Sequence, residues 1–530
     1  MAKDTRAFFA AEEAFARGPI TESRQAHWEF ATTGTEAAQE QERRKALAVR
    51  RHFADEGRYA QLDAWHAKGP SGDAILDRQG DLLWREYLGG QQDGQTLERL
   101  TQLSAEQQGL FNRFRASLDG RSWSENDLNE VLAASVDSAE VRRTWEAAKQ
   151  IGAEAAGPAR EMLRLRNESA RRQGFADAFQ KDLVLGELGD ERLFSLLDEL
   201  EQATDAPYRQ AKVKLDEQLA QHFKVGADDL RPWHYGDPFF QRPPRSAGPP
   251  LDPFFAGKRP EDLVVRTLDT VGLEARGILA RSDLYPRPGK NQHAFCMYVQ
   301  PNGSDVRVLC NLNETYHWTS VLLHELGHAM HWEYGNRELP DLLVDPPHSL
   351  VAETESQLLE RVAVTAPWLT EVAGVPAARS AELANQLQEA QRVEGLVFAR
   401  WSLVMAHFER AMFRDPDGDL DALWWDLIER FQLVPRPEGR KAPDWAAKIH
   451  LANFPGHYYV YILGEMAVAQ FYASLMRDVG GFYGHRGAGA HLIERLYRLG
   501  SRYDWETTVE QATGQRLGTA AMVQELITVP

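Results

Sequence analysis

The sequence contains little cysteine and no long apolar run, and both absences narrow the class of protein. Among its 530 residues, only Cys296 and Cys310 are cysteines. A secreted protein of this size usually carries more, so we expect a reducing compartment. No window of about 18 apolar residues predicts a membrane span, and residues 1–6 lack the apolar segment of a signal peptide. We therefore expect a cytoplasmic protein with no membrane partner.

Positive charge is scarce relative to negative charge. Lys and Arg contribute 60 residues against 78 Asp and Glu, which gives a net charge of −18 at pH 7. A surface this acidic repels phosphate backbones, so we expect no nucleic-acid partner. The hydrophobic share of 43% is ordinary for a globular protein, and a chain of this length can bury a sizeable core. The oligomeric state is left open.

Proline is nearly absent from residues 1–230, which are rich in Ala, Leu, Glu, Arg and Gln. Apolar residues recur there at spacings of three and four with charges between them, and this pattern predicts helices. Eight prolines then fall within residues 231–260, at positions 232, 238, 243, 244, 249, 250, 253 and 260. Regular structure cannot run through that density, and aromatic residues lie among the prolines. We therefore expect an ordered crossing there.

The remaining residues, 261–530, return to a helical pattern with two exceptions. Residues 293–299 and 306–312 are rich in β-forming side chains and flank a turn, which predicts a β-hairpin. The glycine-rich residues 480–489 predict a flexible loop. The fold class is mostly α. We treat residues 1–530 as one unit with three approximate parts, namely 1–230, 231–260 and 261–530.

The clearest chemistry lies in a His-Glu-Leu-Gly-His sequence within an apolar stretch. His324 and His328 are four residues apart, so a helix places both imidazoles on one face, where they can bind one zinc ion. Glu325 follows the first histidine and can reach a metal-bound water without binding the metal. His331 lies on the same face but about 10 Å along the axis from His324, so one ion cannot take both. We expect His331 to be a core histidine or to support the site.

A catalytic zinc site needs a third protein ligand and one open position. A second helix is predicted shortly downstream, after Pro346 and Pro347. Glu353 and Glu355 both lie in it, and spacing alone does not choose between them as the third ligand. His348 is a weaker candidate.

These motifs resemble those of helical zinc peptidases of the gluzincin type. The sequence is similar to the angiotensin-converting-enzyme (peptidyl-dipeptidase A) family and to the related thimet oligopeptidase and oligopeptidase F family. The His-Glu-Leu-Gly-His motif, Glu353, Lys-Ile-His at 448–450 and Tyr-Tyr-Val-Tyr at 458–461 occur in the family order. The sequence His-Trp-Glu-Phe-Ala-Thr-Thr-Gly at 27–34 is similar to the amino-terminal region of the converting-enzyme group.

The resemblance implies a role for each of these residues. It implies that His324, His328 and Glu353 bind one Zn²⁺ per chain, since Glu353 rather than Glu355 has the family spacing. Glu325 is then the general base, and Tyr461 donates a hydrogen bond to the oxyanion. The implied substrate-binding residues are His293 and Ala294 in an edge strand, His450 on the substrate backbone, and Lys448 with Tyr458 at the substrate carboxy-terminus.

The resemblance also implies an architecture and a reaction. Two helical lobes are expected around a deep channel that admits short peptides, with the hairpin beside the zinc helix. The expected reaction is zinc-dependent hydrolysis of peptide bonds, with release of carboxy-terminal dipeptides. A surface lysine and a core tyrosine are simpler explanations of Lys448 and Tyr458.

Several positions depart from the converting-enzyme pattern. Val460 stands where those enzymes carry an arginine that helps to bind an activating chloride, and Gln357 replaces an aspartate. Their disulfides are also missing. These differences keep open a second enzyme function, that of an endo-acting oligopeptidase of the thimet or oligopeptidase F type. A helical peptide-binding scaffold with a lapsed metal site is the non-enzyme alternative.

Overall fold

The computed structural model describes residues 2–244 and 251–528. It is 70% helical and contains two small two-stranded sheets, which confirms the mostly α prediction. None of the helices in the described ranges combines the length and the apolar character that a bilayer span requires. Two prolines of the predicted crossing, Pro249 and Pro250, lie outside the described residues.

The chain divides into two compact units, and each is built from separated stretches of sequence. The first unit comprises Met1–Gln91, Pro249–Leu387 and Gly464–Ala521. The second unit comprises Gln92–Gly248, Gln388–Leu463 and Met522–Pro530. The predicted metal ligands therefore belong to the first unit, whereas residues 448–461 belong to the second. The single catalytic unit with parts 1–230, 231–260 and 261–530 stays a prediction.

Helices account for most of both units. The amino-terminal stretch holds α1 (Ala2–Phe15), α2 (Thr21–Thr33), α3 (Glu36–Phe53), α4 (Glu56–His66) and α5 (Ala74–Gly90). The following stretch, up to the proline-rich crossing, holds α6 (Gly94–Arg113), α7 (Glu125–Ala134), α8 (Ser138–Ala148), α9 (Ile151–Arg172), α10 (Ala178–Leu185) and α11 (Asp190–Phe223). After the crossing come α12 (Pro260–Val271), α13 (Arg276–Arg281), α14 (Tyr316–Tyr334), α15 (Ser349–Glu360) and α16 (Ala366–Glu371). The last are α17 (Ala377–Arg414), α18 (Leu420–Leu427), α19 (Ile449–Asn453), α20 (Tyr459–Asp478), α21 (Arg486–Arg495), α22 (Trp505–Thr513) and α23 (Ala520–Ile527).

The crossing between α11 and α12 carries short 3-10 turns, at Pro232–His234 and at Asp252–Phe254. Tyr235, Phe240 and Phe255 are buried, all below 4% exposure, whereas Phe239 and Phe254 are half-buried. The prolines therefore interrupt regular structure while the aromatic rings anchor the segment by burial of apolar surface.

Two antiparallel hairpins complete the fold. In the second unit β1 (Ala116–Leu118) pairs with β2 (Arg121–Trp123). In the first unit β3 (Phe295–Tyr298) pairs with β4 (Val306–Leu309), within the segment for which the sequence predicts a hairpin. The β3–β4 hairpin precedes α14, the helix that carries the His-Glu-Leu-Gly-His motif.

The register of this hairpin decides which backbone groups of β3 face outward. On the far side of β4, the carbonyl of Val308 and the N–H of Cys310 both pair with Asp283, each at 2.9 Å. Because successive residues of a strand point their backbone groups to opposite sides, the residues between and before these two pair with β3. In the register of the hairpin, Cys296 lies opposite Val308, and Ala294 lies opposite Cys310. Ala294 and Cys296 therefore direct their N–H and C=O groups away from β4. A backbone edge of this kind can add a peptide strand.

The glycine-rich residues 480–489 are only partly a loop, so the prediction of a loop over the whole segment is wrong. Helix α21 begins at Arg486 and takes in the last glycine, Gly489. A Cβ at Gly489 would lie 2.5 Å from the carbonyl oxygen of Val271, at the end of α12. Glycine is therefore present there because two helices approach each other closely, and not because the backbone must bend.

The same explanation holds where α14 packs against α15. A Cβ at Gly327 would lie 2.7 Å from the carbonyl oxygen of Glu355, and closer still to Cα of Ser356. Only glycine allows this approach, because real Cβ atoms do not occur at such distances. The approach sets α15 directly against the face of α14 that carries the two motif histidines.

We expect Gly327→Ala to push α14 and α15 apart. Overpacking of this kind costs about 1–3 kcal/mol, which outweighs the gain of up to about 1 kcal/mol from the higher helix propensity of alanine. Both the midpoint of thermal unfolding and the zinc content should fall. The matched control is Gly464→Ala inside α20, where a new Cβ meets no heavy atom within 4 Å apart from its chain neighbours and its own helix. Equal behaviour of the two variants would show that the close approach is unimportant.

Candidate metal centre

Three side chains of the first unit come together at the contact of α14 with α15. His324 and His328 are supplied by α14 and Glu353 by α15, and their ligand atoms all lie within 4.8 Å of one another. Nε2 of His324 is 3.6 Å from one carboxylate oxygen of Glu353, and Nε2 of His328 is 3.8 Å from the other. Two imidazoles and one carboxylate are a usual protein ligand set of a catalytic zinc ion, so the residues present fit zinc.

Each of the two imidazoles has a further partner, a carboxylate for His324 and a backbone group for His328. Nδ1 of His324 lies 3.2 Å from Oε2 of Glu360. His328 hydrogen-bonds to the backbone of Ala352, and burial lowers its pKa to about 4. His328 is therefore neutral at physiological pH, as a metal-binding imidazole must be.

Glu360 is a functional residue that the sequence motifs do not identify. It lies seven residues after Glu353 on α15, and it accepts a hydrogen bond from the Ser320 hydroxyl at 2.8 Å as well as facing His324. Burial works against its charge, but the hydrogen bonds from His324 and Ser320 hold the pKa of Glu360 below its usual value. A carboxylate behind a ligand histidine orients the ring and makes it a better donor.

We expect Glu360→Gln to weaken zinc binding by about 10- to 100-fold, because the variant loses the charge that orients His324. Competition with a chromophoric chelator measures this affinity. Glu382→Gln, on the exposed start of α17, is the control and should bind zinc as the unmodified protein does. Unchanged affinity in Glu360→Gln would mean that the ring of His324 is held by its packing alone.

Glu325 is placed between the ligand histidines and the hairpin. Its carboxylate accepts a hydrogen bond from the backbone N–H of Cys296, on the outward-facing edge of β3. Burial is the largest influence on this group, and it raises the pKa of Glu325 to about 7. A carboxyl group with a pKa near neutrality can both accept and release a proton. The same strand edge includes Ala294, which lies just before β3, while the neighbouring His293 is exposed.

The other residues weighed from the sequence lie away from the ligand atoms. His331 is buried, with Nδ1 2.8 Å from Oε1 of Glu355 and Nε2 3.2 Å from the carbonyl of Val344. The carboxylate of Glu355 is thus paired with His331, whereas the carboxylate of Glu353 faces the two motif histidines and is the one placed to bind a metal ion. Nδ1 of His348 accepts the N–H of Leu350 at 3.0 Å and caps the start of α15.

The second unit brings His450, Tyr458 and Tyr461 together. The ring centroids of His450 and Tyr458 are 5.3 Å apart, those of Tyr458 and Tyr461 are 5.0 Å apart, and those of His450 and Tyr461 are 6.2 Å apart. Tyr461 is half exposed, whereas Tyr458 is 7% exposed. Burial lowers the pKa of His450 to about 4, so its imidazole is neutral at physiological pH.

Lys448 lies beside this aromatic group and is only partly exposed, which does not fit a plain surface lysine. Its Nζ donates to Oε1 of Gln241 at 2.7 Å and lies 5.5 Å from the ring centroid of Trp401. Trp401 in turn donates from Nε1 to the hydroxyl oxygen of Tyr458 at 2.7 Å. Gln241 is a second residue that sequence reasoning missed, because it lies in the proline-rich crossing some 200 residues from Lys448.

The first unit therefore contains two histidines and a glutamate on packed helices, with the acidic residue Glu325 beside them, an arrangement that suits a catalytic zinc ion. Comparison with known families agrees with this geometry. The family model described as Peptidase family M3 matches residues 271–527, and that of Angiotensin-converting enzyme matches residues 1–226. No curated protein matches the chain. The chain is a zinc metallopeptidase that resembles both families, and one Zn²⁺ is its cofactor.

Proposed function

We propose that this zinc peptidase removes dipeptides from the carboxy-terminus of short peptides. The observation that carries this proposal is a group of hydrogen-bond donors in the second unit. The acceptor oxygens of Gln241 and Tyr458 are taken by Lys448 and Trp401 respectively. What remains is the Gln241 amide N–H₂, the Tyr458 hydroxyl hydrogen and the Lys448 ammonium. A group that presents only donors suits a carboxylate.

The charge of Lys448 supports the same interpretation. Burial lowers its pKa to about 8, so most molecules still carry the ammonium at pH 7. Among the described residues, no carboxylate forms an ion pair with it. Asp237 and Glu125 favour this charge only from beyond ion-pair distance. A partly buried ammonium that no carboxylate contacts is costly, and a substrate carboxylate in contact with it would lower that cost.

Each step of the proposed hydrolysis has a residue of this chain. Bound zinc supplies a Lewis acid that polarises the scissile carbonyl and lowers the pKa of a water molecule. Glu325 accepts a proton from the attacking water and delivers it to the leaving amine. Tyr461, in the role that the resemblance implies, donates a hydrogen bond to the oxyanion. His450 and the β3 edge at Ala294 and His293 bind the substrate backbone.

An endo-acting oligopeptidase is the second candidate function. The match of Peptidase family M3 favours it, since residues 271–527 contain the metal ligands, Glu325 and the whole of 448–461. An oligopeptidase of this kind would also act on short peptides with zinc, but it would have no need of a free carboxy-terminus. The cytoplasmic location stays a prediction from the sequence.

We expect Glu325→Gln to abolish turnover of short peptides while leaving the zinc content at one ion per chain. The amide cannot accept the proton of the attacking water, whereas the three ligands are untouched. Product analysis by mass spectrometry and elemental analysis of the same sample measure the two quantities. Glu338→Gln, in an exposed loop, should behave as the unmodified enzyme. Full activity in Glu325→Gln would exclude Glu325 as the base.

A peptide amidated at its carboxy-terminus separates the two candidate functions. We expect the free acid to be cleaved at least about tenfold more efficiently, from the charge-assisted hydrogen bonds that the amide loses. Lys448→Met should lower this ratio, mainly through KM, while Lys441→Met at an exposed position should not. Internal cleavage of both peptides at equal kcat/KM would instead identify an oligopeptidase.

A further inference from the structure

Tyr458 is held at both ends by a single helix, α17. At one end its hydroxyl oxygen accepts a hydrogen bond from Nε1 of Trp401 at 2.7 Å. At the other end its backbone N–H donates to Oε2 of Glu409 at 3.1 Å. Trp401 and Glu409 are both fully buried, with 0% exposure. The position of Tyr458 is therefore fixed by contacts from inside the protein.

The backbone before Tyr458 is fixed by the same carboxylate. Oε1 of Glu409 accepts the N–H of Gly456 at 2.8 Å. Gly456 has φ of +105°, and a Cβ there would lie 2.8 Å from Oδ2 of Asp182. The carbonyl of the preceding residue, Pro455, accepts a hydrogen bond from Arg166 at 2.7 Å. With the backbone held in this way, the direction of the Tyr458 hydroxyl hydrogen is the main remaining freedom.

Trp401 decides that direction because of the chemistry of its indole. The indole N–H donates and has no acceptor, so the hydroxyl hydrogen of Tyr458 cannot point back to it. Among the described residues, none accepts a hydrogen bond from this hydroxyl. Burial raises the pKa of Tyr458 to about 12, so the hydroxyl keeps its proton at physiological pH. The hydroxyl is left as a donor that needs an acceptor.

We propose that Trp401 is a positioning residue for carboxylate recognition, because its indole N–H turns the Tyr458 hydroxyl into a donor aimed at the substrate carboxy-terminus. The inference rests on the proposed function and deepens it. It assigns part of the selectivity for a free carboxylate to a residue that does not itself touch the substrate. Glu409 supports the arrangement by fixing the backbone of Tyr458.

A neighbouring tryptophan provides the matched control. Trp424 is 2% exposed, and its ring centroid is 5.9 Å from that of Trp401. Replacement of either tryptophan by phenylalanine removes a similar volume from the same aromatic cluster. Only Trp401→Phe also removes the hydrogen bond to Tyr458. Because the Trp401 ring also lies near Lys448, the double variant with Tyr458→Phe separates the loss of that bond from a change at Lys448.

The test measures binding rather than turnover, in a Glu325→Gln background that leaves the peptide intact. Isothermal titration calorimetry gives Kd for a pentapeptide with a free carboxy-terminus and for its amide. The selectivity ratio is the Kd of the amide divided by the Kd of the free acid. This ratio is then compared among Trp401→Phe, Tyr458→Phe, the double variant and Trp424→Phe. Thermal unfolding of each variant shows that it is folded.

We expect Trp401→Phe and Tyr458→Phe each to lower the ratio by about fivefold, the effect of one hydrogen bond. The double variant should lose no more than Tyr458→Phe alone, because Trp401 acts through the hydroxyl. Trp424→Phe should keep the ratio. Should Trp401→Phe fail to fold, an unchanged ratio in Tyr458→Phe would still overturn the proposal.

Two further results would overturn it in distinguishable ways. A ratio in Trp401→Phe as high as in Trp424→Phe, or additive losses in the double variant, would refute the role of Trp401 and leave the proposed function standing. A ratio near one in the parent protein would refute carboxy-terminal recognition itself, and the role of Trp401 with it.

Discussion

The metal site depends on the close packing of α14 against α15. The absence of a side chain at Gly327 allows the backbone of Glu355 and Ser356 to approach the middle of the motif helix. That approach brings Glu353, two residues from Glu355, to the face that carries His324 and His328. The middle residues of the His-Glu-Leu-Gly-His sequence are thus not mere spacers, since the glycine admits the helix that supplies the third ligand.

Carboxylates at this contact have separate tasks that are set by their position along α15. Glu353 faces the two imidazoles, Glu355 pairs with buried His331, and Glu360 supports the ring of His324. An offset of two residues turns Glu355 to another side of the helix, whereas an offset of seven returns Glu360 to the face of Glu353, two turns further along. The buried pair of Glu355 with His331 joins α15 to α14 near the metal ligands. The same helix contact therefore contributes to stability and sets the geometry of the ligands.

The sequence predicts those features that depend on neighbours along the chain. The spacing of His324 and His328, the hairpin before them and the helical periodicity are local patterns, and the structure contains each of them. Glu353 could be chosen over Glu355 only through the family resemblance, because the choice depends on how two helices pack. Glu360 and Gln241 were missed for the same reason, since their partners are distant in sequence. The loop predicted at 480–489 was partly wrong because Gly489 serves packing rather than a turn.

Both candidate sites use their protein contacts to fix the direction of a hydrogen bond. In the first unit, Glu360 occupies Nδ1 of His324 and leaves Nε2 for the metal. In the second unit, Trp401 occupies the oxygen of Tyr458 and leaves its hydrogen for an acceptor. In each case a protein partner determines what the remaining polar atom of the functional side chain can do. Specific chemistry at the surface of a site therefore requires residues that no ligand ever touches, and such residues are visible only once the packing is known.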